Sequence, residues 1–294
     1  MNTIAQSVAS ADASAAPQPH VMQCMEIWGG TEAADEAVAV PGLDVRVHAL
    51  PHDGAVAGGD IHYLSMCGGG NIVRFLVADV SGHGQVVSEL SSDLRGLLRR
   101  HINRFNNARM ARSLNNEFGA LAADGRFATA VMGTYFAPTD QFIIVNAGHP
   151  RPLWYSAEHE RWQLLREDSE ACDPRGPFNL PLGVIDRTDY RQFAVTLGEH
   201  DLVLMYTDSL TESTDAGGRQ LGEQGLLELA RTLDPTAREQ LGRHLLDAVA
   251  RHRGGLPADD DLTLLTLHHN ASDPDVSMGQ RVKALARMVG ILPV

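Results

Sequence analysis

Between Leu43 and His269 the apolar residues change period in blocks, and the order of those blocks restricts the fold more than any other feature of the chain. Val45, Val47 and Ala49 alternate with polar residues, the pattern of a half-buried strand. Apolar runs over 61–66 and 72–80 predict two more strands, joined by the turn Gly68-Gly69-Gly70-Asn71. The period then lengthens. Val86, Leu90, Leu94, Leu97, Leu98, Ile102 and Phe105 recur mostly at three- and four-residue steps. Met110, Leu114, Phe118 and Leu121 repeat that spacing in a second helix, which Asp124-Gly125 stops. Strand patterns return over 129–137, 141–146, 152–156, 193–197 and 202–206. Helical spacing follows over 226–233 and 241–249, then a last strand over 262–267 and a short amphipathic tail helix over 282–289. Strands joined by short turns, with helices gathered in separate blocks, predict an α+β domain with antiparallel sheets. The strict strand–helix alternation of a doubly wound fold is absent.

Residues 1–42, rich in Ala, Ser, Pro and acidic side chains, read as a flexible lead-in with a short ordered piece near 22–28. Residues 43–270 form the domain and 271–294 a tail. A hydrophobic fraction of 44% over 294 residues supplies a substantial core, and the charged fraction of 21% argues against global disorder. The formal net charge of −13 argues against a binder of nucleic-acid backbones. Cys24, Cys67 and Cys172 are too sparse for a disulfide framework and form no C-x-x-C pair, which suits a reducing compartment. No stretch approaches the roughly 20 apolar residues of a membrane span. The first residues lack the basic and apolar regions of a secretory signal. The expectation is a cytoplasmic protein without nucleic-acid or membrane partners.

The sharpest local feature is Asp79-Val80-Ser81-Gly82-His83-Gly84. Phe75, Leu76 and Val77 carry an apolar strand into a carboxylate, then a loop with two glycines, then a helix. Such a carboxylate is rigidly placed yet exposed; taken alone, Asp79 is equally well explained as a cap of the following turn. Similar acidic points recur. Asp60 precedes the strand over 61–66, Asp208 follows the one over 202–206, and Asp260 lies in the Asp259-Asp260-Asp261 run before the last strand. Carboxylates brought together repel unless protonated or neutralised by cations. Oxygen donors without Cys or clustered His select Mg²⁺ or Mn²⁺ over zinc. Two such ions roughly 3.5–4 Å apart activate a water for in-line attack on phosphorus. The pattern does not itself bring the four residues together in space.

Six segments occur in one order over most of the chain. They are Gly58-Gly59-Asp60; the Asp79 loop; Asn146-Ala147-Gly148-His149-Pro150; Leu180-Pro181-Leu182-Gly183; Tyr206-Thr207-Asp208 with Glu212; and Asp260-Asp261-Leu262-Thr263. In this set the sequence resembles the PPM (type 2C) metal-dependent protein phosphatases, in their bacterial SpoIIE-like branch. The resemblance implies a layered α-β-β-α sandwich and phosphoserine/phosphothreonine hydrolysis by a water bridging two divalent cations, Mn²⁺ or Mg²⁺. By that resemblance Asp79 bridges both metals, with the Val80 carbonyl as a further ligand. Asp60 supports one metal, and Asp208 and Asp260 the other. Asp79 and Asp60 are then the catalytic pair, and Asp261 ranks below Asp260. The implied substrate is a phosphorylated regulatory protein such as an anti-sigma-factor antagonist, with control by a separate regulatory protein or by self-association.

Two positions depart from the family pattern: Ser209 stands where Gly is usual, and Ile61-His62-Tyr63 replaces an aromatic pair with an acid. Ser209 motivates the alternative of a catalytically weak phosphoprotein-binding scaffold. His149 reads as a loop-packing histidine, His83 as either a packing or a proton-relay group, and Asn146 as a side chain tied to its own loop. Cys67 with Arg74 fails the spacing of a cysteine-phosphatase loop, since Val73 takes the sixth position after Cys67. His268-His269 on one strand point to opposite faces, and His244 and His252 lie about two helical turns apart, so neither pair suits one ion.

Overall fold

The structure is a computed structural model that describes residues 19–23, 26–67, 70–82, 85–101, 106–122, 125–166 and 177–272. The first strands are β1 (His20–Val21), β2 (Ile27–Gly30), β3 (Ala34–Val40), β4 (Leu43–Leu50), β5 (Asp60–Cys67) and β6 (Ile72–Val80). Helices α1 (Gln85–His101) and α2 (Asn107–Leu121) come next. Strands β7 (Ala128–Phe136), β8 (Gln141–Ala147), β9 (Leu153–Ser156), β10 (Arg161–Leu164), β11 (Phe193–Thr196) and β12 (Leu202–Tyr206) follow. Helices α3 (Ser209–Glu212), α4 (Gly222–Arg231) and α5 (Leu241–His252) precede the last strand, β13 (Leu262–His269).

One sheet runs β1-β3-β4-β13-β12-β9-β10 and the other β11-β8-β7-β6-β5-β2. Neighbours are antiparallel except β1 beside β3. Side-chain parity explains how the sheets stack, because successive residues of a strand face opposite sides. Leu64 and Met66 of β5 and Val73, Phe75 and Val77 of β6 share one core with Val45 and Val47 of β4, Val203 and Met205 of β12, and Leu265 and Leu267 of β13. The alternate residues Ile61, Leu76 and Ala78 pack instead under α1 and α2. On the other sheet, Leu204, Tyr206 and Leu264 pack under α4 and α5. The molecule is therefore a four-layer α-β-β-α sandwich. Strands covered on both faces must be apolar at nearly every position, which is why 72–77 and 202–206 read as continuous runs. Each fully buried side chain the size of Leu or Phe contributes about 1.5–3 kcal/mol.

Three features depart from the sequence reading. The lead-in drawn over 1–42 contains three strands from residue 20 onwards, and they pair into both sheets. The acidic and small residues of β3 disguised it: Val38 and Val40 face the inter-sheet core, while Asp35 and Glu36 face solvent. In β2, Gly29 at φ +119° lies so close to the His62 carbonyl that a side chain there would clash, and Trp28 packs on the His62 ring at 5.4 Å. The short strand β10 and the single-turn helix α3 have too few residues to show a period. His83, Cys24, Cys172 and the tail helix expected over 282–289 lie outside the described residues. Among the described residues no helix is long and apolar enough to cross a membrane.

Candidate active site

Asp60 opens β5 and Asp79 is the last residue but one of β6; the register places them directly opposite each other. Their parity is that of Leu64 and Met66 and of Val73, Phe75 and Val77. The rows that fill the inter-sheet core thus end in carboxylates at one mouth of the sandwich. On the facing sheet, the rows through Val203 and Met205 and through Leu267 and Leu265 end in Thr207 and Thr263. The Thr207 hydroxyl donates to Asp60 Oδ2 at 2.8 Å and accepts from the Thr263 amide at 2.9 Å. Asp60, only 6% exposed, is thereby held by the opposite sheet.

Asp208 follows β12 and leads into α3, which carries Glu212 one turn on. Asp260 and Asp261 immediately precede β13, whose pairing with β12 brings the two loops to the same edge. The two adjacent carboxylates turn different ways. Asp261 accepts from the backbone N–H groups of His52 at 2.6 Å and Gly59 at 2.5 Å, so its carboxylate is tied to the 52–59 loop. Gly58 has no room for a Cβ because the Asp261 carboxylate occupies that space. Asp260 is exposed and accepts from the Asp261 amide at 2.8 Å. The Val80 carbonyl faces Gly59, 3.1 Å from where a Cβ would stand. A cleft of about 670 Å³ opens beside these groups, lined by His52, Gly58, Gly59, Gly82, Asp260 and Asp261 among others.

Burial and mutual repulsion act together on the cluster. Burial, then the charges of Asp208, Asp260, Asp261 and Glu212, push Asp79 up to about 7. Burial followed by Glu212 and Asp260 raises Asp208 to about 6. Burial and the Asp79 charge raise Asp60 well above the carboxylate range. The four predicted aspartates are thus brought to one mouth of the sandwich, each within electrostatic reach of another. Among the described residues no three His, Cys, Asp or Glu side chains already stand as a closed ligand group.

The donor set nevertheless fits a hard divalent cation. The groups that press on Asp79 are all carboxylates, and a cation relieves their repulsion without desolvating a soft ligand. The buried Ser209 hydroxyl, beside Asp208, has no protein hydrogen-bond partner. Orphan buried hydroxyls are costly unless water or an ion's hydration shell meets them.

His149 lies behind the carboxylates. Asn146 closes its loop, accepting from the His149 amide and donating to its carbonyl, both at 2.8 Å. The imidazole Nε2 donates to the Tyr206 carbonyl at 2.9 Å, and Nδ1 accepts from Thr129 Oγ1 at 2.8 Å. Burial lowers its pKa to about 3, so the ring is neutral with its proton on Nε2. Thr129 is the cross-strand partner of Asp79, and Tyr206 stands two residues before Asp208. The packing histidine therefore ties the two sheets together next to both aspartates. Thr207, Thr263 and Thr129 received no role from sequence; the signal available was a polar residue ending an otherwise apolar inward row. His268 and His269 turn apart, toward Asp44 at 3.0 Å and the Gly198 carbonyl at 2.7 Å.

Fold and site together define the PP2C-type serine/threonine phosphatase fold used in bacterial signalling. The family model described as Stage II sporulation protein E (SpoIIE) matches residues 69–270, and the chain belongs to that family. Among solved structures it is similar to the RsbU and RsbW domains of a Mycobacterium tuberculosis protein, with TM-score 0.65 and 25% identity over 84% of this chain and 68% of that one. The SiaA-PP2C domain of Pseudomonas aeruginosa matches with TM-score 0.63 and 17% identity, covering 76% of this chain and 85% of that one. RsbX, solved in complex with magnesium, matches with TM-score 0.57 and 15% identity, covering 80% of this chain and 99% of that one.

Proposed function

We propose that the chain is a metal-dependent phosphoserine/phosphothreonine protein phosphatase acting on a phosphorylated regulatory protein. The observation that carries this reading is the convergence of Asp60, Asp79, Asp208 and Asp260 at one mouth of the sandwich, with the pKa of Asp79 lifted by its carboxylate neighbours. Asp79, the Val80 carbonyl, Asp60, Asp208 and Asp260 would hold two divalent cations, Mg²⁺ or Mn²⁺. When bound, such ions supply Lewis acidity and an activated water for in-line displacement at phosphorus.

The chain's own residues do the rest. Thr207 fixes the Asp60 carboxylate, and His149 fixes the strand ends that carry Asp79 and Asp208. Asp261, anchored by two backbone donors, shapes the cleft by holding the 52–59 loop against the site. An anti-sigma-factor antagonist is the substrate class favoured by similarity to a protein in which RsbU and RsbW domains occur together. Beyond Ser209, no observation favours a scaffold without turnover. The deciding experiment is phosphate release from a phosphoserine protein with Mn²⁺, with chelator, and with Asp79→Asn. Release that requires metal and is lost in the variant is expected. Release that survives both the chelator and the substitution would refute the reading.

A further inference from the structure

A phosphomonoester dianion must land beside Asp60, Asp79, Asp208, Asp260, Asp261 and Glu212. Even with cations present, a site so rich in carboxylates needs a protein cation facing the incoming phosphoryl oxygens. Arg126 stands behind the wall of the cleft, without itself lining it. Its Nη1 lies 3.0 Å from where a Cβ would stand on Gly82, so the guanidinium lies against that glycine. Gly82 lines the same cleft as Asp260 and Asp261 and follows Asp79 by three residues.

The arginine's backbone is fixed to the same loop. The Ser81 amide donates to the Phe127 carbonyl at 2.9 Å, and the Phe127 amide donates to Ser81 Oγ at 3.0 Å. On the other side, the Arg126 carbonyl packs 3.4 Å from where a Cβ would stand on Gly183. Other arginines of known partner are committed: Arg151 to Glu223 at 2.6 Å, Arg95 to the Gly29 carbonyl at 2.6 Å, and Arg253 to Ser213 Oγ at 3.3 Å. Arg126 is half-buried and, among the described residues, pairs with no carboxylate. A side chain at position 82 would be strained at φ +103° and would press on the Arg126 guanidinium.

We propose that Arg126 binds the phosphoryl group of the substrate, its planar guanidinium taking two non-bridging oxygens. The inference rests on the phosphatase reading above. The test compares wild type, Arg126→Gln and Arg126→Lys with Mn²⁺. It measures KM and kcat on a phosphoserine peptide, inhibition by inorganic phosphate, and Mn²⁺ affinity by calorimetry. Losing a charge-assisted hydrogen bond predicts that Arg126→Gln raises both KM and the phosphate inhibition constant by about 10- to 100-fold. Arg126→Lys recovers part of the loss, and Mn²⁺ affinity stays unchanged. A merely structural role would not move phosphate inhibition while sparing metal binding. Wild-type turnover with an unchanged phosphate inhibition constant in Arg126→Gln overturns this inference and leaves the phosphatase reading intact. A folded, Mn²⁺-loaded wild type that releases no phosphate from any phosphoserine protein overturns the reading and this inference with it.

Discussion

Replacing Asp79 by Asn should stabilise the metal-free protein above neutral pH while abolishing the proposed phosphatase activity. Burial and four neighbouring carboxylates lift Asp79 from 3.8 to about 7. A carboxyl whose folded pKa lies above its unfolded value holds its proton more tightly in the folded state. Stability is then unaffected below about pH 4, falls as pH rises through the window up to about 7, and reaches its full loss above it. About three pKa units correspond to roughly 4 kcal/mol. Because the carboxylates titrate as a coupled group, part of that cost relaxes onto the neighbours, and about 2–4 kcal/mol is the expected gain for Asp79→Asn at pH 8. The asparagine keeps the shape and removes the charge.

Urea unfolding with chelator at pH 5 and pH 8 measures this directly. At pH 5 the folded state keeps the Asp79 proton while the unfolded carboxyl has begun to ionise, so the variant should lead wild type by only about a third of its pH 8 advantage. At pH 8 the variant should unfold at higher urea, with an unchanged m-value. Saturating Mn²⁺ should reverse the order, since wild type gains binding free energy that the variant has largely lost. If metal-free Asp79→Asn were less stable than wild type at pH 8, Asp79 would not be a charge held under repulsion, and the electrostatic argument for a cation site would fail.

Two further outcomes follow from the same geometry. Thr207→Val deprives buried Asp60 of one donor and the Thr263 amide of its acceptor. It should cost about 1–3 kcal/mol and lower Mn²⁺ affinity, whereas Thr207→Ser should stay near wild type; denaturant titration and calorimetry check both. Gly58→Ala pushes a methyl into the Asp261 carboxylate that anchors the 52–59 loop. It should reduce kcat/KM on a phosphopeptide by 10-fold or more, about 1.4 kcal/mol, with the fold retained by circular dichroism.

The layers of the sandwich were legible because covering a sheet on both faces leaves a plain mark, a nearly continuous apolar run such as 202–206. The edges were not. β3 needs only Val38 and Val40 buried on the inner face, and its exposed Asp35 and Glu36 made the segment read as a polar lead-in. β10 and α3 are shorter than any period that could announce them. For the site, the aspartates stood out because each ends an apolar strand, where a carboxylate has no packing reason to be. What sequence could not supply is the route between them. Asp60 reaches Thr207 across the two sheets, 147 positions along the chain, and His149 joins Thr129 to Tyr206 in the same manner. Those bonds exist only once both sheets are stacked. The mouth of the sandwich is therefore assembled by packing of the inter-sheet core, and its carboxylates are brought into repulsion by that same packing. A change deep in the core, such as truncating Val77, acts on the site through the strand end that carries Asp79.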